Sequence, residues 1–485
     1  MPINSFLYPG AKVAPPFTVA NSIRLNQGDD PDMKKTIGAP TSARKFSVSC
    51  WVKLSKLGVQ RSLWGLGATS GATGLSVRFQ DDDTLDFFDY NGSGNNFGYS
   101  TNQVFRDVSA WSHFLFAVDT EQGTAHNRVR IYHNGTEIEK TNLTDNPGDP
   151  SQNADLTIAD GHTFKVGDDN AGSNEWDGYI AEFVYIDGLQ LTPSSFGQFN
   201  NDTPTVWEPI DVTGLTFGNN GLYLDFEDSS NLGNDANGGT DLTETNIAAT
   251  DQSTDTCTNN FATLNFLKRL GTTSRSFEEG NLRFHSTTTS WSNTASTISF
   301  TKGKWYAEVK IMNLASSTGY GSIGLIDINA ATYNGDDTNI KQDNASVGLN
   351  LDHRSGQSDI RSATSAVTTN IGNFSNDDIL GLAVDMDNKA LYIHLNGTYY
   401  QVSSVTGVPT SGASKTGAIT IPTSIIDCAF QAGSYTDKAD VAYNFGSPFF
   451  SISSGNSDAN GHGNFEFSVP SGYYALNTKN LAEFG

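Results

Sequence analysis

The sequence has few of the features of exported, disulfide-stapled or membrane-inserted proteins. Its 485 residues include only three cysteines, Cys50, Cys257 and Cys428, an odd and widely spaced set that predicts no disulfide framework. Residues 1–6 lack the basic start and the apolar run of a secretory signal, and no window reaches the length of a membrane span. We therefore expect synthesis in a cytoplasm, no export by the general pathway and no membrane insertion.

Basic residues are also scarce. The chain has 29 Lys and Arg against 53 Asp and Glu, a formal charge of -24. Because phosphate binding needs a cationic face, this balance excludes nucleic acid as an expected partner. Two interpretations of the acidity stay open, namely solubility in salty water, where like charges are screened, and a Ca²⁺-binding surface.

Amphipathic helices of ordinary length are missing as well, and short alternating strands take their place. The chain has 48 Gly, 11% aromatic residues and many polar turn residues. The run from Phe46 to Val52 alternates cleanly, with Cys50 in the parity of the core residues, and similar runs recur between Gly and Asn turns. This spacing predicts an all-β protein built as a β-sandwich or jelly roll, twice over.

One phrase occurs in both halves of the chain. Residues 115–119 (LFAVD) lead to residues 129–136 (VRIYHNGT), and residues 381–385 (GLAVD) lead to residues 391–398 (LYIHLNGT). An Asn-Gly pair between alternating runs predicts a hairpin with a type I′ turn. The first connection is four residues longer (119–134 against 385–396), and the shared parity of the apolar positions predicts the same buried face in both copies.

The strand series divides the chain into four parts. Residues 1–20 carry scattered prolines and aromatics and are predicted to form an extended arm, either disordered or ordered by docking to a partner. Residues 21–210 and 261–485 are predicted to form two sandwiches, and residues 211–260 a polar bridge between them.

The first sandwich resembles laminin-G-like domains of the concanavalin A superfamily. The resemblance is carried by residues 46–53 (FSVSCWVK), by residues 127–135 and by the closing run 176–196 (WDGYIAEFVYIDGLQLTPSSF). The stretches FFDYNGSG near residue 87 and QVFRDVSAW near residue 103 are similar to copies carried by virion proteins of tailed bacteriophages.

The second sandwich resembles a SPRY-like domain, through residues 303–309 (GKWYAEV), residues 321–325 and the hairpin from Asp385 to Gly397. That family is also a concanavalin A-type sandwich, which accounts for the repeated phrase. Residues 258–265 and the ending at 470–481 likewise look like parts of the phage module. The order of these motifs along the chain favours a phage virion protein over a cellular one.

Enzymatic activity is not predicted. A glucanase of this sandwich type needs two carboxylates facing each other across the sugar, from a run such as Glu-x-Asp-x-(x)-Glu. The nearest candidate, Glu175 and Asp177 on one face, lacks a third carboxylate in register, because Glu182 has the opposite parity. The eight histidines form no pair spaced for zinc, and neither a nucleophile constellation nor a P-loop is present.

Binding sites are predicted in the loops of the first sandwich. Hard oxygen ligands for Ca²⁺ are available from Asp81, Asp83, Asp168, Asp169 and Asn170, with solvated acidic turns as the alternative. No other cofactor is expected. The resemblance alone favours these loops, since laminin-G-like domains often place calcium and ligand at the loop rim. Tyr90 and Trp176 could stack on sugar rings, or else fill a core or sheet surface.

The resemblance and the missing signal together predict a non-enzymatic structural protein on the exterior of a phage virion, released by lysis. It would be a tail fibre or capsid-attached fibre that docks to other virion proteins through the arm at residues 1–20 and binds host-surface glycan. A homo-oligomer is expected, with a trimer as the example from fibre biology. The alternatives are a decoration or cement protein with no receptor, and a secreted glycan hydrolase or adhesin.

Overall fold

A computed structural model describes residues 17–485, apart from residues 69–72, 170–171, 173, 269–274, 288–290, 315–319, 330–345, 353–357, 364, 370, 373 and 436–438. The described residues are almost wholly β-structure, so the prediction of an all-β fold is confirmed. No helix among these residues has the length and apolarity of a bilayer span.

The first half of the chain contributes strands β1 to β18. They are β1 Ser22–Leu25, β2 Asp32–Thr36, β3 Lys45–Leu54, β4 Arg61–Gly67, β5 Gly74–Phe79, β6 Leu85–Tyr90, β7 Asn95–Thr101, β8 Ser112–Asp119, β9 Val129–His133, β10 Thr136–Glu137, β11 Leu143–Gly148, β12 Thr163–Val166, β13 Gly178–Asp187, β14 Gly197–Phe199, β15 Trp207–Pro209, β16 Leu222–Leu224, β17 Thr243–Thr245 and β18 Gln252–Ser253. Short 3₁₀ helices lie at Gln27–Asp29, Ala125–Asn127, Lys140–Asn142, Pro193–Ser195 and Ala249–Asp251.

Apart from β14 and β15, which pair with each other, these strands form two facing sheets. The first sheet has the order β10-β9-β8-β3-β13-β1-β18, with β16 paired to β13, and the second has the order β11-β7-β6-β5-β4-β12-β2-β17. Alternate side chains of both sheets meet in one large core, in which Phe46, Trp64 and Phe116 are fully buried. Cys50 lies in this core, as its parity predicts.

The second half contributes strands β19 to β35 and one α-helix. They are β19 Arg275–Glu278, β20 Arg283–Ser286, β21 Trp291–Ala295, β22 Lys304–Leu314, β23 Tyr320–Asp327, β24 Ser346–Asp352, β25 Asp359–Ser362, β26 Ser365–Thr369, β27 Ile379–Asp385, β28 Ala390–Leu395, β29 Thr398–Tyr399, β30 Gln401–Val402, β31 Val405–Thr406, β32 Ile419–Thr420, β33 Cys428–Tyr435, β34 Ala439–Asn444, β35 Tyr474–Ala475 and α1 Thr478–Phe484, with a 3₁₀ helix at Pro409–Ser414.

This half forms a second pair of sheets around its own core. One sheet runs β19-β20-β34-β22-β27-β28-β29, and the other runs β21-β33-β23-β24-β25-β26. Trp305, Leu349 and Phe430 are fully buried between them. The chain is therefore two sandwiches in tandem.

Both copies of the repeated phrase form the predicted hairpin. Asn134 and Gly135 have φ of 48° and 75°, and Asn396 and Gly397 have φ of 47° and 83°, as a type I′ turn requires. The apolar positions of both copies, Val129, Ile131, Leu391 and Ile393, lie in the two main cores. The predicted turn and the predicted buried face are confirmed.

Residues 211–260, predicted as a polar bridge, contain three strands that join the sheets of the first sandwich. β16 pairs with β13, β17 pairs with β2, and β18 pairs with β1. Leu222 and Leu224 add their side chains to the first core. The domain boundaries themselves stay a prediction.

The end of the predicted arm lies where the two sandwiches meet, while its residues 1–16 fall outside the described residues. Val19 is buried, donates its N–H to Thr258 and accepts from the hydroxyls of Thr256 and Thr258. The sandwiches also bond to each other, because Tyr179 donates to the Gly280 carbonyl at 3.0 Å and Asn281 donates to the Ser55 carbonyl at 2.8 Å.

Candidate functional site

The outer face of the second sheet of the first sandwich carries two aromatic side chains, two residues apart on one strand. Burial alternates along β6, with Leu85 and Phe87 buried in the core and Phe88 and Tyr90 half-buried on the outside. Since successive side chains of a strand point to opposite faces, Phe88 and Tyr90 share the outer face. Tyr90, one of the two residues predicted to stack on sugar, is therefore in a position to meet a ligand.

Two of the positions opposite these rings on the neighbouring strands are glycines. Gly74 of β5 lies opposite Tyr90, and Gly98 of β7 lies opposite Phe88. Glycine adds no side chain at either position. The Arg78 guanidinium carbon lies 4.9 Å from the centre of the Phe88 ring, within the range of a cation–π contact.

Polar side chains border the rings on the same face. Asp86 accepts hydrogen bonds from the Ser100 hydroxyl at 2.6 Å and from the Gln80 amide at 2.5 Å. Burial raises the pKa of Asp86, and the hydrogen bond from Ser100 works against that rise. We call the surface formed by Arg78, Asp86, Phe88, Tyr90 and Ser100 the β6 face.

The carboxylate of Asp169 fixes the position of Arg78. Asp169 accepts from the Ser62 hydroxyl at 2.9 Å, from the Ser76 hydroxyl at 3.0 Å and from the Arg78 Nε. The Asp169 side chain is almost fully buried, so this pair is shielded from solvent. Asp169, predicted as a calcium ligand, is therefore the counter-ion of Arg78 at the border of the β6 face.

The other predicted calcium ligands have separate partners. Asp83 accepts from the Gly58 N–H at 2.8 Å and from the Arg106 Nε at 2.6 Å, and Asp168 accepts from the Lys165 ammonium at 2.6 Å. Asp168 is buried, and burial raises its pKa. Asp81, in contrast, has an exposed side chain. Asn170 lies outside the described residues.

Three of these carboxylates are thus already matched to a cation of the chain. Within the described part of the sequence, no group of three or more His, Cys, Asp or Glu side chains is placed to hold a metal ion. The Ca²⁺ site stays a prediction.

Trp176 lies inside the first sandwich. Its side chain is 0% exposed, and its ring meets Phe79 edge to face at 5.4 Å. A ring without an exposed face cannot stack on a sugar, so the structure corrects this assignment and gives Trp176 a packing role. The sequence left both roles open, and burial decides between them.

Two of the acidic residues weighed for hydrolysis, Asp177 and Glu182, bind to different partners. Asp177 is buried and accepts from the Ser55 hydroxyl and from the Gln27 N–H. Glu182 lies at a β-bulge of β13, where it accepts from the Tyr223 hydroxyl at 2.7 Å, and burial raises its pKa to about 8. Each carboxylate is committed to a different structural contact.

The β6 face offers a flat apolar surface bordered by hydrogen-bonding groups of both kinds. This combination suits a polyhydroxylated ligand, whose ring faces are apolar and whose hydroxyls both donate and accept. Sequence reasoning found Tyr90 and missed Phe88, Arg78 and Asp86. The signal was present, because Asp86, Phe88 and Tyr90 share one parity in the run 85–90.

Comparison with known families supports the assignment of the first sandwich. Residues 30–193 match the laminin G model of the concanavalin A-like lectin/glucanases superfamily. The described sheets and this match together define a concanavalin A-like, laminin-G-type domain in the first half of the chain. No curated protein sequence matches the chain.

Several solved structures have a similar architecture. The SPRY domain of human HERC1 is 11% identical with a TM-score of 0.28, over 37% of this chain and 96% of that chain. A Bacteroides ovatus protein whose suggested role is carbohydrate binding is 15% identical with a TM-score of 0.32, over 47% of this chain and 59% of that chain. Domains LG4-5 of the mouse laminin alpha1 chain are 8% identical with a TM-score of 0.29, over 89% of both chains. Scores this low carry no argument about function.

Proposed function

We propose that this protein is a non-enzymatic structural protein on the exterior of a tailed-phage virion and that it binds host-surface glycan through the β6 face. One observation carries the binding role, namely the half-buried pair Phe88 and Tyr90 beside the Arg78 and Asp86 side chains. The match of residues 30–193 to a lectin-containing superfamily supports it. The virion role rests on the resemblance of the sequence motifs to phage proteins.

The proposal places the two sandwiches outside the particle, as part of a tail fibre or capsid-attached fibre. The arm at residues 1–20 would dock to other virion proteins, and the chain would assemble as a homo-oligomer, with a trimer as the first form to test. The hydrogen bonds between the sandwiches favour an exterior fibre, since they fix the first sandwich, which carries the β6 face, to the second sandwich.

A glycan array probed with the purified full chain tests the binding role. We expect the unmodified chain to bind a subset of the glycans, and Phe88→Ala to weaken that binding by roughly 10- to 100-fold, as loss of a stacking ring does. Phe199→Ala is the matched control, because Phe199 is an exposed aromatic on another hairpin of the same sandwich. Equal loss in both variants, or no binding by any form, would contradict the proposal.

Two alternatives are separated by further measurements. Immunogold labelling of intact particles locates the protein, and exterior labelling without any glycan binding would favour a decoration or cement protein. Release of reducing sugar from polysaccharide by the unmodified chain, lost in Glu175→Gln, would instead establish a hydrolase. Absence of the protein from purified particles would contradict the virion role and favour an adhesin.

A further inference from the structure

A lysine, an asparagine and an aspartate meet where the two sandwiches join. Lys53, in β3, is only 1% exposed, and its ammonium nitrogen lies 2.7 Å from Asp255 Oδ2 and 2.7 Å from Asn260 Oδ1. It also donates to the carbonyl oxygen of Phe261 at 3.0 Å. The lysine belongs to the first sandwich, and the asparagine lies just before the second strand series.

Aromatic side chains enclose this group. The Lys53 nitrogen lies 5.6 Å from the centre of the Tyr179 ring, and Trp111 donates its indole N–H to Asp255 Oδ1 at 3.0 Å. The backbone N–H of Phe261 also donates to Asp255 Oδ1, at 3.2 Å. Asp255 therefore has one oxygen fixed by two donors and the other directed at the lysine.

The Asn260 amide is held in one orientation. Its nitrogen donates to the Ser109 carbonyl at 2.7 Å, so its oxygen is the atom that faces Lys53. The amide carbon is bonded to that oxygen and so lies next to the lysine nitrogen. A nucleophile, a carbonyl carbon and a proton carrier are thus brought together in a site that excludes water.

We propose that Lys53 and Asn260 join in an intramolecular isopeptide bond, with Asp255 as the catalytic proton carrier. Asp255 takes a proton from the ammonium, and the free amine adds to the Asn260 amide carbon. Asp255 then gives this proton to the amide nitrogen and takes the second proton of the attacking lysine nitrogen as the bond between the amide nitrogen and the carbon breaks, so that ammonia leaves and Asp255 ends protonated. One amide forms, one amide is lost and one ammonia leaves, with no redox change and no co-reactant.

Physical chemistry favours this reaction at this place. Fixed contact between the reacting groups replaces a bimolecular encounter. The reaction occurs once per chain, so even a slow rate converts the whole population, and departure of ammonia from the protein makes it irreversible.

A second lysine–aspartate pair in the chain shows what is special about the first. Lys304 lies 3.0 Å from Asp385 Oδ2, and a nearby asparagine, Asn388, directs its amide nitrogen at that same Oδ2. In the described contacts of Lys304 no amide oxygen faces the ammonium. The Lys304 side chain is also more exposed than the Lys53 side chain. Lys304 is therefore the matched control, and no bond is expected there.

Intact-mass spectrometry of the folded full chain tests the proposal. We expect a mass lower than the sequence mass by one ammonia, and a tryptic map in which a branched peptide links Lys53 to Asn260. The variants Lys53→Arg and Asp255→Asn are expected to show the full mass and no branched peptide, while Lys304→Arg retains the bond. Retention of the bond in Asp255→Asn would overturn the role of Asp255.

Asn-Gly pairs such as Asn134-Gly135 also lose ammonia when they form succinimides, so the peptide map decides the assignment. Hydroxylamine cleaves a succinimide and leaves an isopeptide intact, which separates the two products. Since the unmodified chain alone yields the branched peptide, the test holds even where a variant fails to fold. A folded chain that carries no branched peptide after prolonged incubation at neutral pH would overturn the proposal.

Discussion

The two sandwiches share one strand order and differ in what their outer faces carry. In the first sandwich β9, β8, β3, β13 and β1 are neighbours in that order, and in the second β28, β27, β22, β34 and β20 follow the same order. The register agrees too, since Lys45 pairs with Asp119 and Lys304 pairs with Asp385 at the start of the equivalent strands. Shared topology and register identify the repeated phrase as part of the scaffold.

Differences begin on the side of these strands that faces away from the core. Two residues after each equivalent lysine lie Ser47 and Tyr306, and four residues after it lie Ser49 and Glu308. Ser49 bonds to His113, whereas Glu308 is a buried carboxylate at the centre of a polar cluster. The same scaffold therefore carries an uncharged serine at this position in one sandwich and a buried carboxylate in the other. Ligand specificity must be sought in these outer side chains and in the loops.

The largest expected effect tests whether the shared core positions are equivalent. We expect Ile131→Ala and Ile393→Ala each to lower the free energy of unfolding by about 2–5 kcal/mol, because each removes a fully buried side chain and leaves a cavity. Denaturant unfolding of the full chain measures both. The conservative variants Ile131→Val and Ile393→Val serve as controls, with an expected loss of about 0.5–1.5 kcal/mol each.

If only one of the two alanine variants is destabilised by that amount, the equivalence of the two cores fails. A shift of the same unfolding transition by both variants would show that the sandwiches unfold as one unit. Two separate transitions, each moved by one variant, would show that they unfold independently.

The next effect concerns Glu308, which exists only in the second sandwich. Its oxygens accept from the N–H groups of Phe467 at 2.7 Å and Glu466 at 2.9 Å, and from the side chains of Tyr306 and Asn444. A glutamine would place an NH₂ group against two of these donors. We therefore expect Glu308→Gln to destabilise the chain by about 1–3 kcal/mol at neutral pH, measured by thermal unfolding.

At Glu182, a buried carboxylate of the first sandwich, the same glutamine substitution is expected to stabilise the chain instead of destabilising it. Its one hydrogen bond comes from Tyr223, and burial, with Asp225 and Glu227 nearby, raises its pKa from 4.5 to about 8. The folded chain keeps a proton that the unfolded chain releases, so this stabilising contribution is complete below about pH 4.5 and is lost as the pH rises through about 8. Glu182→Gln removes the titrating proton and should gain stability relative to the unmodified chain over that window, by roughly 1–4 kcal/mol. A constant difference between pH 5 and pH 9 would contradict this account.

Much of the scaffold was predictable because its signals are local. The alternation of residues 46–52, the Asn-Gly turns and the parity of Ile131 and Ile393 depend on neighbours in sequence, and the structure confirms them. The pairing of β17 with β2 joins residues more than 200 positions apart, so no local pattern could reveal it. The sequence did not single out Phe88 for a related reason: alternation shows that Phe88 and Tyr90 share a face, but only the assembled sheets show that this face is the outer one.

The smallest effect tests the turns themselves. The side-chain oxygens of Asn134 and Asn396 each accept a hydrogen bond from the strand next to the hairpin, from the N–H of His113 in β8 at 2.8 Å and from the N–H of Ile379 in β27 at 2.9 Å. We expect Asn134→Ala and Asn396→Ala each to cost about 1–2 kcal/mol, because alanine loses this bond and disfavours the left-handed conformation. Aspartate keeps both properties, so Asn134→Asp and Asn396→Asp should change thermal stability by less than half as much. If alanine and aspartate were equally costly at either turn, its side-chain bond would not be the stabilising contact, and the two hairpins would be alike in shape without being alike in energetics.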